Sequence, residues 1–282
     1  MQWRKKGIFY YICQEGDGKP LVCLHGFSED HTTWEEIEIE GYSKILIDFV
    51  GHGKSDKPLA KKAYHVSSIM KQLKYILTKQ LGLKKFSLMG YSMGARIALL
   101  FAITYPECVE KLILESGSYG IGGFYRRMQR RKKDMQLAEN IMEQGIIWFE
   151  KYWNVLPIFE SQKKLPNTVQ RKIKKRRLLN EPYALAATLK GSGQGTFPYL
   201  KRRIKKLTMP VLYICGSLDR KYSRIGRVFQ KENLNVTLCI ISECGHNVHI
   251  EKPVIYQNKV IEFLRKENEY GTDKMESIRG KV

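Results

Sequence analysis

The sequence lacks any apolar run approaching the ~18 residues of a membrane span. Its first residues, MQWRKKGIFYYICQEGDG, begin basic but hold only the short apolar run Ile8 to Cys13 before acidic residues and glycine follow. That run is too short for the core of a secretion signal. These two absences lead to the expectation of a cytoplasmic protein with no integral membrane association. The cysteines Cys13, Cys23, Cys108, Cys215, Cys239 and Cys244 form no CxxC pair and no ligand-like cluster, and nothing in the sequence asks for a metal or a cofactor. Most lie inside apolar runs, where reduced cysteine behaves as a small hydrophobe. Cys244 stands apart because a histidine follows two residues later. Internal repeats and low-complexity tracts are also missing.

Acidic residues are scarce: 28 Asp and Glu face 49 Lys and Arg, giving a net charge of +21. Such an excess suits nucleic acid, an anionic membrane surface or an acidic substrate. The density peaks in YRRMQRRKKD (125–134) and QRKIKKRRLL (170–179), which also carry apolar residues at helical spacing. Most of the excess therefore reads as solvated helix faces, with no nucleic-acid partner expected. Peripheral contact with an anionic membrane and the oligomeric state stay open. Single arginines inside these runs are candidates for another task.

What is present is enough for a large core: 282 residues, 43% hydrophobic and 11% aromatic. One domain with an insertion fits as well as two. Apolar runs bounded by Gly, Asp or Pro predict strands at Ile8 to Cys13, Leu21 to Leu24, Ile45 to Phe49, Phe86 to Met89, Lys111 to Leu114, Val211 to Cys215 and Val236 to Ile241. Helical spacing fills Val66 to Gln80, Met93 to Tyr105 and Val254 to Arg265. Strands alternating with helices predict an α/β fold, a mainly parallel sheet with helices on both faces. Residues 118–207 break the pattern and read as helices only: Phe124 to Gln144, Ile146 to Trp153, Thr168 to Leu179 and Tyr183 to Lys190. The expected organisation is a core of residues 1–117 and 208–266, a helical cap inserted at 118–207, and a polar, disordered tail at 267–282.

The stretch GYSMGARIAL (90–99) sets Ser92 between Gly90 and Gly94 where a strand should turn into a helix. A strained turn of that kind exposes its central side chain and requires small residues two before and two after. The helix that starts there directs its N-terminal amides at charge developing near Ser92. A serine hydroxyl needs a histidine to accept its proton, and the histidine needs a carboxylate to fix its tautomer. VLYICGSLDRK places Asp219 in a loop after a buried strand, and IISECGHNVHIEKP places His246 in another. Both loops leave the carboxyl ends of strands, where open α/β sheets build their sites. His249 competes for the base role, three residues on, but His246 directly follows Cys244 and Gly245 at the loop apex. Ser92 could be a helix N-cap and Asp219 a turn residue; the flanking glycines and the Ser, Asp, His order favour catalysis. LVCLHGF ends a strand at His25, Gly26 and Phe27, and the backbone N–H of Phe27 would complete an oxyanion hole with that of Met93. His25 and His52 read as structural or as shaping the rim.

Through LHGF, DFVGHGKSDKP, GYSMGAR, GSLDRK and CGHNVHIEKP the chain resembles the α/β-hydrolase superfamily over nearly its whole length. Within it the chain is similar to the 2-succinyl-6-hydroxy-2,4-cyclohexadiene-1-carboxylate synthase family of menaquinone biosynthesis, on LHGFSEDHTTW, Arg96, LILESGSYGI, RRKKDMQLAENI, FEKYWNVLPIFESQKKLP and KKRRLLNEP. The resemblance implies an α/β-hydrolase fold and a carbon–oxygen lyase that eliminates pyruvate from an enolpyruvyl cyclohexene carboxylate bearing a succinyl side chain. It also implies that Arg96, Arg130 and Arg177 hold the substrate's carboxylates, with Tyr91 and Trp153 lining the pocket. Such a small polycarboxylate asks for planar, bidentate donors, which arginine supplies. Arg96 stands one helical turn after Ser92 and shares its face; Arg131 and Arg176 adjoin the other two.

The sequence departs from that family at Ala95, where a second glycine is usual, and at Phe197 and Lys201, where glutamine and tryptophan are common. Phe197 cannot supply a glutamine's hydrogen bonds, and Gln194 is the available substitute. Two other readings remain on sequence grounds. One is an esterase or carbon–carbon bond hydrolase with Ser92 as nucleophile; the other is a non-catalytic binding protein of the same fold.

Overall fold

The computed structural model describes residues 2–5 and 7–266; the tail expected at 267–282 lies outside them. Strands β1 (Gln2–Lys5), β2 (Ile8–Glu15), β3 (Lys19–Leu24), β4 (Tyr42–Ile47), β5 (Phe86–Tyr91), β6 (Val109–Glu115), β7 (Val211–Gly216) and β8 (Val236–Ile241) form one sheet. Their spatial order is β1-β2-β4-β3-β5-β6-β7-β8. The pairs β1/β2 and β2/β4 are antiparallel and all later pairs are parallel.

Alternate residues of the central strands feed separate cores. Val22, Leu24 and Leu88 join one cluster, while Leu21, Cys23, Met89 and Tyr91 join another with Trp34 and Tyr256. A strand covered on both faces has no polar side, so β5 is buried at every residue and reads in the sequence as an unbroken apolar run. Helix α1 (Val66–Tyr75) runs on into a π turn at Ile76–Gln80, and α2 (Met93–Thr104) follows β5. In α2 every residue but Thr104 is buried, and Arg96 is its one charged residue. A buried cation is unfavourable without a partner, so Arg96 is there for a reason other than stability.

Between β6 and β7 the chain is helical. Helix α3 (Phe124–Asn154) breaks at Gly145 (φ 78°, ψ −176°), where the sequence places the gap between two helices. A 3-10 segment (Pro157–Lys164), α4 (Asn167–Leu178) and α5 (Pro182–Ser192) follow. This cap has a core of its own, with Ala138, Ile141 and Phe149 packed on Leu185, Ala186 and Leu189. After β7 come α6 (Arg220–Glu232), then α7 (Val248–Glu251) and α8 (Pro253–Arg265) beyond β8.

The sequence reading misses β1, the 3-10 segment and α6. The apolar residues of α6 (RKYSRIGRVFQKE) keep helical spacing at Tyr222, Ile225, Val228 and Phe229, but its N-cap, Asp219, reads in the sequence as a loop residue and the helix is passed over with it. Among the described residues no helix is long and apolar enough to cross a membrane, and no cluster of side chains suits a metal ion.

Candidate active site

Ser92 sits at φ 50°, ψ −100°, between the end of β5 and the start of α2. The turn is possible only because its neighbours lack side chains. A Cβ on Gly90 would stand 2.6 Å from the Gly94 carbonyl oxygen, and one on Gly94 would stand 2.2 Å from that of Leu24. The Ser92 amide is held by the Glu115 carbonyl at 2.9 Å, which ties the turn to β6.

The base and acid loops lean on each other just as tightly. A Cβ on Gly216 would lie 2.0 Å from the Cys244 carbonyl oxygen, and Leu218 donates its amide to that oxygen at 2.9 Å. His246 Nε2 lies 3.0 Å from Ser92 Oγ, and His246 Nδ1 lies 2.6 Å from Asp219 Oδ2. The other Asp219 oxygen accepts the Tyr222 amide at 3.2 Å, capping α6 and fixing the carboxylate. With Nδ1 donating to Asp219, Nε2 is free to accept the Ser92 proton.

The competing histidine is excluded by its surroundings. His249 is buried between Glu115 (2.7 Å), Thr33 (2.8 Å) and the ring of Trp34, away from Ser92. His25 accepts the Phe49 amide on Nε2, and His52 lies 5.2 Å from it, ring to ring. Burial lowers the affinity of both for a proton, bringing His52 down to about 3. Cys244 is fully buried, and burial pushes its thiol up, so it is not a nucleophile.

A cavity of about 60 Å³ opens at Ser92, and its wall includes Phe27, Met93, Arg96, Arg130, Trp153 and Gln194. No acceptor among the described residues takes the amide of Phe27 or Met93, the pair expected to hold an oxyanion. The one hydrogen bond of the Arg96 guanidinium among the described residues is to a carbonyl, that of Ser192 at 3.3 Å, and burial pulls it down to about 10. Arg130 is paired with Asp134 at 2.7 Å, and Asp134 also accepts the Gly195 amide at 2.8 Å. This pins the cap helix to the loop beside the cavity. Gln194 is on the wall, 3.4 Å from the Tyr222 hydroxyl.

Two expected pocket residues are not on the wall of this cavity. Tyr91 does not line this cavity: it is buried behind the triad, its ring 5.4 Å from His246, because β5 turns it to the face opposite Leu88. Arg177 is also outside, bonded to Asn154 Oδ1 at 3.0 Å and Gln162 Oε1 at 3.4 Å and lying over Phe159. Phe159 in turn contacts His246 at 6.0 Å, so Arg177 approaches the base from another side. Their neighbours take no part: Arg131 is exposed, and Arg176 is bonded to Thr32. The sequence reading misses Tyr222, 4.6 Å from the His246 ring, and Phe159. Tyr222 is visible in principle, one helical turn after Asp219 once α6 is recognised.

A strained serine turn, a base and an acid on successive strand-end loops, and a helical cap together define an α/β hydrolase, and residues 19–253 match the alpha/beta hydrolase fold family. A Bacillus subtilis (strain 168) protein provisionally named 2-succinyl-6-hydroxy-2,4-cyclohexadiene-1-carboxylate synthase is 37% identical, over 92% of this chain and 95% of that protein. The synthase of Salmonella paratyphi B (strain ATCC BAA-1250 / SPB7) is 28% identical over 87% of this chain and 93% of its own length. The structure of MenH from S. aureus superposes with a TM-score of 0.85 at 32% identity, covering 91% of this chain and 97% of that one. The chain belongs to the 2-succinyl-6-hydroxy-2,4-cyclohexadiene-1-carboxylate synthase family.

Proposed function

We propose that this enzyme, acting in the cytoplasm, forms 2-succinyl-6-hydroxy-2,4-cyclohexadiene-1-carboxylate by eliminating pyruvate from its enolpyruvyl precursor. One observation carries the reading: the Ser92 hydroxyl and the Arg96 guanidinium, which has no carboxylate partner among the described residues, line one cavity from the N-cap and the first turn of α2. A hydrolase of neutral esters has no use for that cation, whereas a tricarboxylate substrate satisfies it.

Ser92, its hydroxyl proton passed to His246 Nε2, removes the proton from the ring carbon beside the succinyl ketone. The ketone oxygen becomes an enolate held by the amides of Phe27 and Met93. The electron pair then moves through the ring and the carbon–oxygen bond to the enolpyruvyl group breaks. The departing enolpyruvate takes up the proton that His246 holds and becomes pyruvate, which leaves the Ser92 hydroxyl and the neutral His246 as they began. Asp219 balances the imidazolium throughout.

The cavity, about 60 Å³, is far smaller than the ~300–1,000 Å³ of small-molecule sites, so this reading requires the cap to move to admit substrate. Supplying the enolpyruvyl intermediate and following pyruvate release tests the reading. Pyruvate release at the rate of substrate loss is the expected result, and its absence with a folded enzyme overturns it.

A further inference from the structure

The cap contains a second opening, a cleft of about 610 Å³ whose wall shares no residue with the catalytic cavity. It is bounded by the end of α3, the 3-10 segment and the first turns of α4. The wall carries Lys151, Lys163, Arg171 and Lys174, against which Glu150 is its one carboxylate. Lys163 is paired with Glu160 at 2.7 Å; Lys151, Arg171 and Lys174 have no ion pair among the described residues.

The floor also lacks an acceptor. Gln162 is 3% exposed, and its Oε1 accepts from Arg177 Nη2 at 3.4 Å. That hydrogen bond fixes the amide, since the reversed orientation would set donor against donor. Gln162 Nε2 is left buried with no partner among the described residues. An unpaired buried donor is unfavourable, and an oxygen entering the cleft would relieve it. Asn154, on the same wall, holds the other Arg177 nitrogen at 3.0 Å. Arg177 itself has only these neutral oxygens as hydrogen-bond partners among the described residues, with Glu29 and Glu150 as the carboxylates that face its charge.

We infer that this cleft is a second anion site, with Gln162 as its buried donor and Arg171 and Lys174 as its rim, that takes a small polycarboxylate. The cations stand apart on separate elements and so match carboxylates spread over a carbon frame better than one compact phosphate. The volume suits a molecule of that class. The inference rests on the proposed reaction only for its natural occupant, the enzyme's own tricarboxylate, gathered beside Arg177 before the cap opens.

Calorimetric titration of the full chain with citrate at low salt tests this without turnover, and pyruvate release measured separately tests the reaction. Arg171 and Lys174 are exposed, so the double variant Arg171→Gln/Lys174→Gln folds; it should weaken one citrate-binding event at least ~tenfold, because a hydrogen bond to a charged group is worth about that factor. The same event should survive in Arg96→Gln, which removes the catalytic-cavity cation, and should weaken with added salt. Three results would overturn the inference. These are no citrate binding at millimolar concentration, binding unchanged in the double variant, or inorganic phosphate binding at the affected site as tightly as citrate.

Discussion

The guanidinium of Arg96 lies over the ring of Phe197, 5.1 Å from its centroid. Phe197 gives the cation a fully buried aromatic seat. This stacking leaves the guanidinium without a carboxylate and so ready for one from substrate.

Arg96→Lys keeps the charge but loses the planar fork, and kcat/KM for pyruvate release should fall by about 2 kcal/mol in transition-state terms. Phe197→Leu should raise KM several-fold and change kcat little. A lysine variant as efficient as the parent would mean that Arg96 holds no substrate carboxylate.

The triad distances, 3.0 Å and 2.6 Å, predict that Ser92 and His246 act as one unit. Ser92→Ala or His246→Ala should each lower kcat by ~10³-fold or more, and the double variant should lose little beyond either alone. Losses that multiply would separate their roles.

Gly94 and Gly145 should answer alanine very differently. At Gly94 the new Cβ would meet the backbone of Leu24 at 2.2 Å, so the turn and the strand behind it must shift; Gly94→Ala should lower Tm steeply or prevent folding. At Gly145 no atom lies within 4 Å, and the cost is that of the backbone alone, about 1–3 kcal/mol for a side chain at φ 78°, ψ −176°, a region essentially reserved for glycine. Thermal unfolding of both variants compares the two costs directly.

How far the sequence alone carries can be seen in these same residues. Gly90 and Gly94 announce the turn because only glycine fits there, and the gap at Gly145 shows as a break in helical spacing. Strand β5 is legible because both its faces are covered. Helix α6 keeps Tyr222, Ile225 and Phe229 at helical spacing, yet Gly226 within it and the cap at Asp219 let the stretch read as a loop, so Tyr222 beside the base is passed over with it. For Tyr91 and Arg177, resemblance fixes a residue type at a position but not the direction its side chain takes from a strand or helix, and neither forms part of the wall of the cavity at Ser92. The cleft above Gln162 has no sequence signature, since its wall comes from three elements and depends on how they pack.

Acid should destabilise the protein through His52. Burial holds its folded-state value at about 3, below the ordinary 6.5, so the unfolded chain binds a proton that the folded chain refuses. The sign follows: stability is complete above about pH 6.5 and falls by up to ~1.4 kcal/mol per pH unit toward 3. His25, also lowered by burial, acts in the same direction. His31 opposes them: burial works to lower it, but the bond to Asp48 wins and raises it, giving stability that is lost as pH rises through its folded value. His52→Phe should therefore flatten the loss of stability between pH 6.5 and 4. Urea unfolding at both pH values, compared with the parent, measures it; an equal loss in both proteins would exclude His52 as the cause.

Whether Ser92 relays a proton or attacks carbon decides between elimination and hydrolysis. In elimination the Ser92 oxygen forms no bond to substrate, so intact-protein mass spectra taken by rapid quench during turnover should contain only the unmodified chain. Deuterium on the ring carbon beside the succinyl ketone should slow turnover wherever proton removal limits the rate. Short-chain esters should react poorly, because they leave Arg96 unpaired in a closed cavity and bring no acidic C–H to the base. Ester turnover in a hydrolase would instead proceed through an acyl group on Ser92 that water removes, with His246 serving both steps. An acylated Ser92 together with fast ester cleavage and no pyruvate would assign the same triad to hydrolysis. Unmodified protein with pyruvate released at the rate of substrate loss would assign it to elimination, with the oxyanion pair of Phe27 and Met93 holding an enolate in place of a tetrahedral intermediate.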